Sequence, residues 1–334
     1  MPITVVGSIA YDAVKTPFGE RERMLGGAAV HFALAASFFE EVLVVGPVGE
    51  DFGERELDVM RRRGVDVSDI ERVAGGKTFF WRGEYGWDLN SRETLDTQLG
   101  VFDGFQPKLS DRSRASDVLF LANIVPDLQI EVREQLPNAR FVALDSMNLW
   151  IDIAKDQLVK AIESVDCLIL NDAELRQLTG KPNLVSAARE ILSWGGNAAS
   201  ESGDDEASPE EPSVPRRGPS VIVAKQGEYG AALITNESFF ALPAYPLESV
   251  IDPTGAGDSF AGGFVGYIAA HPEEDPSDEL LRRAMAHGTA LASFNVEEFG
   301  TERVERLTSE EIAARVEELR EFTHFSGTPL KLRG

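Results

Sequence analysis

One seven-residue string, Asp252-Pro253-Thr254-Gly255-Ala256-Gly257-Asp258, holds the strongest candidate chemistry in the chain, with Ser259 and Phe260 directly after it. Pro253 interrupts any preceding strand, while Gly255 and Gly257 permit backbone angles closed to other residues, so a turn is expected here. The small residues from 259 to 271 predict a helix after the turn. Free N–H groups at the start of such a helix, backed by the positive end of its macrodipole, attract charge developing on a transferred phosphoryl group. Asp258 is then the candidate general base for an acceptor hydroxyl. Taken alone, residues 255–258 fit a glycine turn with an aspartate N-cap equally well.

Other candidates follow short apolar runs. Asn171 and Glu174 sit three apart after the run 167–170, a spacing that brings both side chains to one side of an opening helical turn. An Asn N-cap with Glu at the third position has the same pattern. Lys225 follows the run 221–224 and could pair with phosphate oxygens or be a solvated lysine at a strand end. Asp12 follows the first run, where a carboxylate can accept two hydroxyl hydrogens from a polyhydroxylated ligand; a simple turn residue is the alternative. Gly26 and Gly27 let backbone N–H groups approach such a ligand closely. Asn123 and Asp145 stand at the C-terminal ends of two further apolar runs, where α/β sheets place ligands. Asn148 and Trp150 nearby read as structural, and Arg82, Asn90 and Arg92 could reach a substrate from the segment that carries them.

Competing chemistries are poorly supported. Gly75-Gly76-Lys77-Thr78 ends like a phosphate-binding P-loop, but residue 71, where the first glycine belongs, is glutamate. No GxGxxG follows residues 3–9, and Phe260 stands where a third glycine would follow Gly255 and Gly257, so a dinucleotide fold is unsupported. The four histidines, His31, His271, His287 and His324, lack metal-ligand spacing, and one cysteine adds nothing to them.

The string 252–258 closely resembles the C-terminal motif of the ribokinase-like, or PfkB, carbohydrate kinases. Further matches occur in order along the chain: Gly7-Ser8-Ile9-Ala10-Tyr11-Asp12 and Leu25-Gly26-Gly27-Ala28, then Asn171-Asp172-Ala173-Glu174, then Lys225-Gln226-Gly227-Glu228-Tyr229-Gly230. The resemblance implies ATP-dependent phosphorylation of a hydroxyl on a sugar or polyol, with a nucleoside as the alternative acceptor. A non-catalytic ligand-binding or scaffold member is the reading from another class, disfavoured because base and anion-hole glycines are all present. The family pattern implies Asp258 as base with Gly255, Ala256 and Gly257 as the anion hole. It implies nucleotide binding at Lys225, Gly227 and Gly230, and magnesium organised by Asn171 and Glu174, mostly through water. Asp252 and Thr254 resemble positions around a monovalent-cation site often filled by potassium. Asp12, Gly26, Gly27, His31 and Asn123 are the implied substrate side. Ribokinase itself has GGKGAN where this chain reads Gly26-Gly27-Ala28-Ala29-Val30-His31, which argues against ribose.

Positioning these groups requires a regular frame. Apolar runs at 3–9, 42–48, 118–122, 141–144, 167–170 and 221–224 read as buried strands. Amphipathic or alanine-rich segments at 28–39, 52–63, 157–164 and 184–194 lie between them, so the sequence predicts a doubly wound, mainly parallel α/β sheet. Residues 11–25 and 77–105 break the pattern. Phe79, Trp81, Tyr85 and Trp87 alternate there with Phe80, Arg82, Gly86 and Asp88, which predicts a small, mostly antiparallel sheet with one wetter face. An edge hairpin would show the same alternation; the resemblance makes it the family's β lid, inserted in one kinase domain spanning 1–334. Its uncovered face is a candidate homodimer surface. Residues 196–220 are rich in serine, proline, glycine and acids and read as a mobile acidic insertion. Thr308 and Glu311 have capping-box spacing ahead of a helix over 312–322.

The net charge of −24, from 56 acidic and 32 basic residues, argues against nucleic acid or an anionic membrane as partner and favours small molecules. Lysine supplies only eight of the basic residues, a bias consistent with a high-salt cytoplasm that screens self-repulsion. The lone Cys167 lies in an apolar run and reads as a buried, inert thiol. No run approaches the roughly 18 apolar residues of a membrane span, and no basic leader precedes the first strand, so a cytoplasmic location is expected.

Overall fold

The computed structural model describes residues 1–195 and 218–324; the expected acidic insertion therefore lies, over 196–217, outside the described residues. The chain begins with β1 (Ile3–Val6), β2 (Ala10–Thr16) and β3 (Gly19–Gly26), followed by α1 (Ala28–Ala36), β4 (Val42–Gly49), α2 (Glu54–Arg62) and β5 (Ile70–Val73). Next come β6 (Phe79–Tyr85), β7 (Arg92–Gln98), the short α3 (Asp111–Arg114), β8 (Val118–Leu121), α4 (Pro126–Gln135) and β9 (Phe141–Asp145). α5 (Asn148–Ile153), α6 (Lys155–Ile162), β10 (Cys167–Asn171), α7 (Asp172–Thr179), α8 (Leu184–Ser193) and β11 (Val221–Lys225) complete the alternating part. The hairpin β12 (Ala231–Ile234) and β13 (Phe239–Leu242) precedes four helices: α9 (Ala256–Ala269), α10 (Asp278–Asn295), α11 (Glu302–Glu305) and α12 (Ser309–Thr323).

The large sheet has nine strands in the order β13-β12-β11-β10-β9-β8-β1-β4-β5. It is parallel from β11 to β5, with β12 antiparallel to both of its neighbours. Period-two alternation divides its side chains between two cores. Ile3, Val5, Phe120, Ala143, Ile169 and Val223 pack on the face covered by α1, α9 and α10, where the rings of Phe32 and Phe120 stack 4.1 Å apart. Val6, Leu121, Leu144, Leu170 and Ala224 face the opposite way, toward α4, α6, α7 and α8. Both faces are buried, which is why these strands are apolar throughout.

A second sheet, β3-β2-β6-β7, has antiparallel outer pairs and a parallel β2–β6 pair at its centre. The alternation expected along β6 is interrupted by a register shift between Arg82 and Gly83. β7 is exposed along its whole length. β2 follows β1 after a three-residue connection and β3 runs straight into α1, so this sheet stands over the C-terminal edge of the large one.

Among the described residues, no helix is long and apolar enough to cross a membrane.

Candidate active site

α9 begins where the sequence placed a turn. Gly255 is its N-cap with φ 76°, a conformation that costs other residues about 1–2 kcal/mol. No side chain caps the helix; the Ala256 N–H turns back to the Pro253 carbonyl at 3.2 Å, which leaves the N–H groups of Gly257 and Asp258 in the first turn for a ligand. The helix starts at Ala256, earlier than the expected 259, which places Gly257 and Asp258 inside its first turn. Gly257 is thus not required for an unusual backbone angle. Its lack of a side chain admits Lys225, whose Nζ would lie 3.0 Å from a Cβ at that position.

The turn is braced from behind. Asp252, fully buried, accepts hydrogen bonds from the N–H groups of Thr254 (2.9 Å) and Gly300 (3.0 Å). Asn295 donates from Nδ2 to the Thr254 carbonyl at 2.7 Å, and its Oδ1 meets Ser259 Oγ and His31 Nδ1, each at 3.0 Å. The His31 ring is buried against Gly255, where a Cβ would come within 2.3 Å of it. Burial holds the His31 pKa below the ordinary value against the pull of Asp252 and Asn295. His31 is therefore placed under the turn.

Asp258 is half-buried in the first turn of α9. Burial, with the Asp145 carboxylate second, pushes its pKa up to about 7 against the opposing charges of Lys225 and Arg92. Such a group can both take and release a proton near neutral pH. Lys225 and Asp145 form an ion pair at 2.8 Å, so the alternative of a solvated lysine does not hold. Burial opposes the Lys225 charge, but Asp145 and Glu174 outweigh it and raise its pKa. Asn171 and Glu174 form a reciprocal capping box on α7: Asn171 Oδ1 accepts from Glu174 N at 2.8 Å, and Glu174 Oε2 from Asn171 N at 2.9 Å. The capping alternative is realised. Glu174 nevertheless lies in the field of the same cluster, its pKa raised by burial and by Asp145 and lowered by Lys225.

Asp12, in β2, is buried beside Gly26, where a Cβ would fall 1.9 Å from its Oδ2. Its pKa rises to about 7 through burial, then Asp252, opposed by the Gly27 N–H; Asp258 and Arg92 contribute in opposite senses. The small sheet reaches the turn directly, since Thr254 Oγ1 and Tyr85 Oη lie 3.1 Å apart.

Residues 3–306 match the profile of the pfkB family carbohydrate kinases. The chain belongs to that family. A cytidine kinase from Thermococcus kodakarensis is 26% identical over 291 residues, 85% of this chain and 95% of the relative. A nucleoside kinase from Methanothermobacter thermautotrophicus is 23% identical over 90% of this chain and 91% of its own. In fold, the nucleoside kinase of Methanocaldococcus jannaschii superposes with a TM-score of 0.72 at 20% identity, covering 95% of this chain and 98% of that one. The family's activity, ATP-dependent phosphoryl transfer to a hydroxyl, is thus the activity of this PfkB kinase.

Several candidates of this PfkB kinase stand further from the cluster. Gly227 opens, and Gly230 closes, a 3-10 turn after β11; Asn90 Nδ2 donates to Glu228 Oε1 in that turn at 3.2 Å, joining the tip of the small sheet to it. Asn123 Oδ1 is occupied by Trp150 Nε1 at 2.9 Å. Asn295 was not singled out by the sequence, and Tyr85 only as one of the alternating aromatics of the small sheet. An open cavity of about 550 Å³ beside β5, lined by Pro47, Asp69, Glu71, Val101, Phe105 and Lys108, contains none of these groups.

Proposed function

We propose that Asp258 is the general base of this PfkB kinase, and that the acceptor is a sugar, polyol or nucleoside held on the Asp12 side of the cleft. Asp258 takes the proton of the acceptor hydroxyl as its oxygen bonds to the γ-phosphorus of ATP, the bond to the β-γ bridging oxygen breaks, and ADP leaves. The amides around Gly255, Ala256 and Gly257 stabilise the developing charge. The observation that carries this reading is the joint placement of a helix start with no side-chain cap, a carboxyl in its first turn with a pKa of about 7, and an ion-paired lysine against Gly257.

Asp12 accepts hydroxyl hydrogens from the acceptor, and the backbone of Gly26 and Gly27 lies close enough to line the same site; His31 supports from below, and Asn123 acts through Trp150. Lys225 pairs with phosphate oxygens, and the turn from Gly227 to Gly230 borders the nucleotide. Among the described residues no cluster of three or more His, Cys, Asp or Glu could hold a metal. The donors present, Glu174 beside Asn171, are oxygens suited to a hard cation reached through water. Magnesium held there would neutralise phosphate charge. Asp252 and Thr254 are the candidate potassium position, although both Asp252 oxygens already accept backbone bonds.

The nucleoside reading gains from the cytidine kinase and nucleoside kinase relatives, and the sugar reading from a ribokinase of Lactococcus lactis at 24% identity. We read the whole chain as one kinase domain with β2, β3, β6 and β7 as its lid. The exposed Phe18 and Leu95 on that sheet suit a homodimer, and ATP dependence suits a cytoplasmic location. ADP release with Mg·ATP across sugars, polyols, sugar phosphates and nucleosides, with and without potassium, tests the reading: one acceptor class should raise turnover well above the ATP-only background.

A further inference from the structure

Arg92 opens β7 and is the cross-strand partner of Tyr85 in the small sheet. Directly paired residues project from the same face of a sheet. Tyr85 shows which face that is, because its hydroxyl touches Thr254 in the anion-hole turn. The Arg92 guanidinium lies 5.2 Å from the Trp81 ring centroid, within cation-π reach, and among the described residues no carboxylate forms an ion pair with it. Two residues earlier Asn90 bonds to Glu228, tying this end of the sheet to the nucleotide-side turn. An exposed arginine that meets the Tyr85 hydroxyl and the Trp81 ring but no ion-paired carboxylate, close to the carboxyls of Asp12, Asp258 and Glu174, is placed to meet an anion that arrives later.

We propose that Arg92 is a catalytic residue: a guanidinium carried by the lid that stabilises the charge on the phosphoryl group as it passes from ATP to the acceptor. The inference rests on the kinase reading above. Its field acts on Asp12 at the acceptor end and on Asp258 and Glu174 at the nucleotide end, lowering each against the effect of burial. A cation felt at both ends stands near the point where the two substrates meet. The bond changes are those already given, with the acceptor proton going to Asp258; Arg92 keeps its own protons and contributes charge and a planar fork of donors matched to phosphate oxygens. Lys225 supplies its charge from the rigid sheet, whereas Arg92 depends on the position of the lid. Part of the catalytic charge is therefore delivered only when the lid covers the cleft, which disfavours transfer to water when no acceptor is bound.

The test compares Arg92→Ala, Arg92→Lys and Asp258→Asn with the native chain, using the acceptor found in the substrate panel. Arg92 is exposed, so its variants should melt with the native protein. For Arg92→Ala we expect kcat to fall by at least about 100-fold, in line with cationic fingers in other phosphoryl-transfer enzymes, with the acceptor KM within about threefold. Millimolar guanidinium should restore at least about tenfold of that loss in Arg92→Ala and none in Asp258→Asn, and Arg92→Lys should lie between. A kcat within about fivefold of native, a loss confined to acceptor KM, or a loss that neither lysine nor guanidinium recovers would overturn the assignment. Activity retained by Asp258→Asn would instead overturn the base assignment beneath it.

Discussion

Lys225 and Asp145 face each other across β10, joined Nζ to Oδ2 at 2.8 Å, with side chains 18% and 6% exposed. The pair lies behind Gly257, so the lysine is fixed at the start of α9 before any phosphate arrives. Charge that needs no reorganisation during the reaction is the most effective kind. Lys225→Ala should raise the KM for ATP by at least about tenfold, the scale of one lost charge-assisted contact, while the acceptor KM stays within about threefold. Because the change strands a buried carboxylate, it should also lower the melting temperature. Steady-state kinetics with each substrate varied in turn makes the check, and an unchanged ATP KM would reduce Lys225 to a structural role.

The pKa of Asp258 sets the pH dependence. A base must be unprotonated, and burial with Asp145 places its pKa at about 7, so kcat/KM should climb as pH rises through about 7. At pH 6 it should be about one-tenth of its plateau, as for any single titration one unit below its midpoint. A profile flat from pH 5.5 to pH 8 would contradict the assignment.

Gly255→Ala probes the turn itself. A methyl group there would meet the His31 ring at 2.3 Å on a backbone already at φ 76°, so both the turn and the His31–Asn295 contact must shift. We expect stability to drop by at least about 1 kcal/mol and kcat by at least about 100-fold, since positioned donors lose their worth when displaced. Thermal melting beside kinetics checks both. Native kinetics in the variant would show that the turn does not need this conformation.

Much of this architecture was legible in the chain for a physical reason. β1, β4, β8, β9, β10 and β11 are buried on both faces, so each appears as an uninterrupted apolar run bounded by polar or glycine residues. β5 and β13 were missed because edge strands carry only half of that signal: Ile70–Val73 has the charged pair Glu71 and Arg72 at its centre, and Phe239 is exposed. Asp258 and the glycines were readable because turn, helix start and carboxylate are contiguous. The pairings were not. Lys225 lies 80 residues from Asp145, Thr254 lies 169 from Tyr85, and His31 lies 264 from Asn295, so each contact exists only through the topology of the sheet. His31 shows the consequence: near Gly26 and Gly27 in sequence, it packs against Gly255 at the start of α9 in space.

The central claim is that Asp258 is the base, and Asp258→Asn assayed for phosphoryl transfer beside thermal melting at pH 8 tests it most directly. A buried acid whose pKa rises from 3.8 to about 7 on folding favours the fold in its protonated form, so that stability is complete below pH 3.8 and is lost as pH climbs to about 7. At pH 8 the uncharged Asn should therefore melt at or above the native temperature, while kcat falls by at least about 100-fold and ATP binding changes little. A well-folded Asp258→Asn protein that keeps kcat within about fivefold of native would contradict the account.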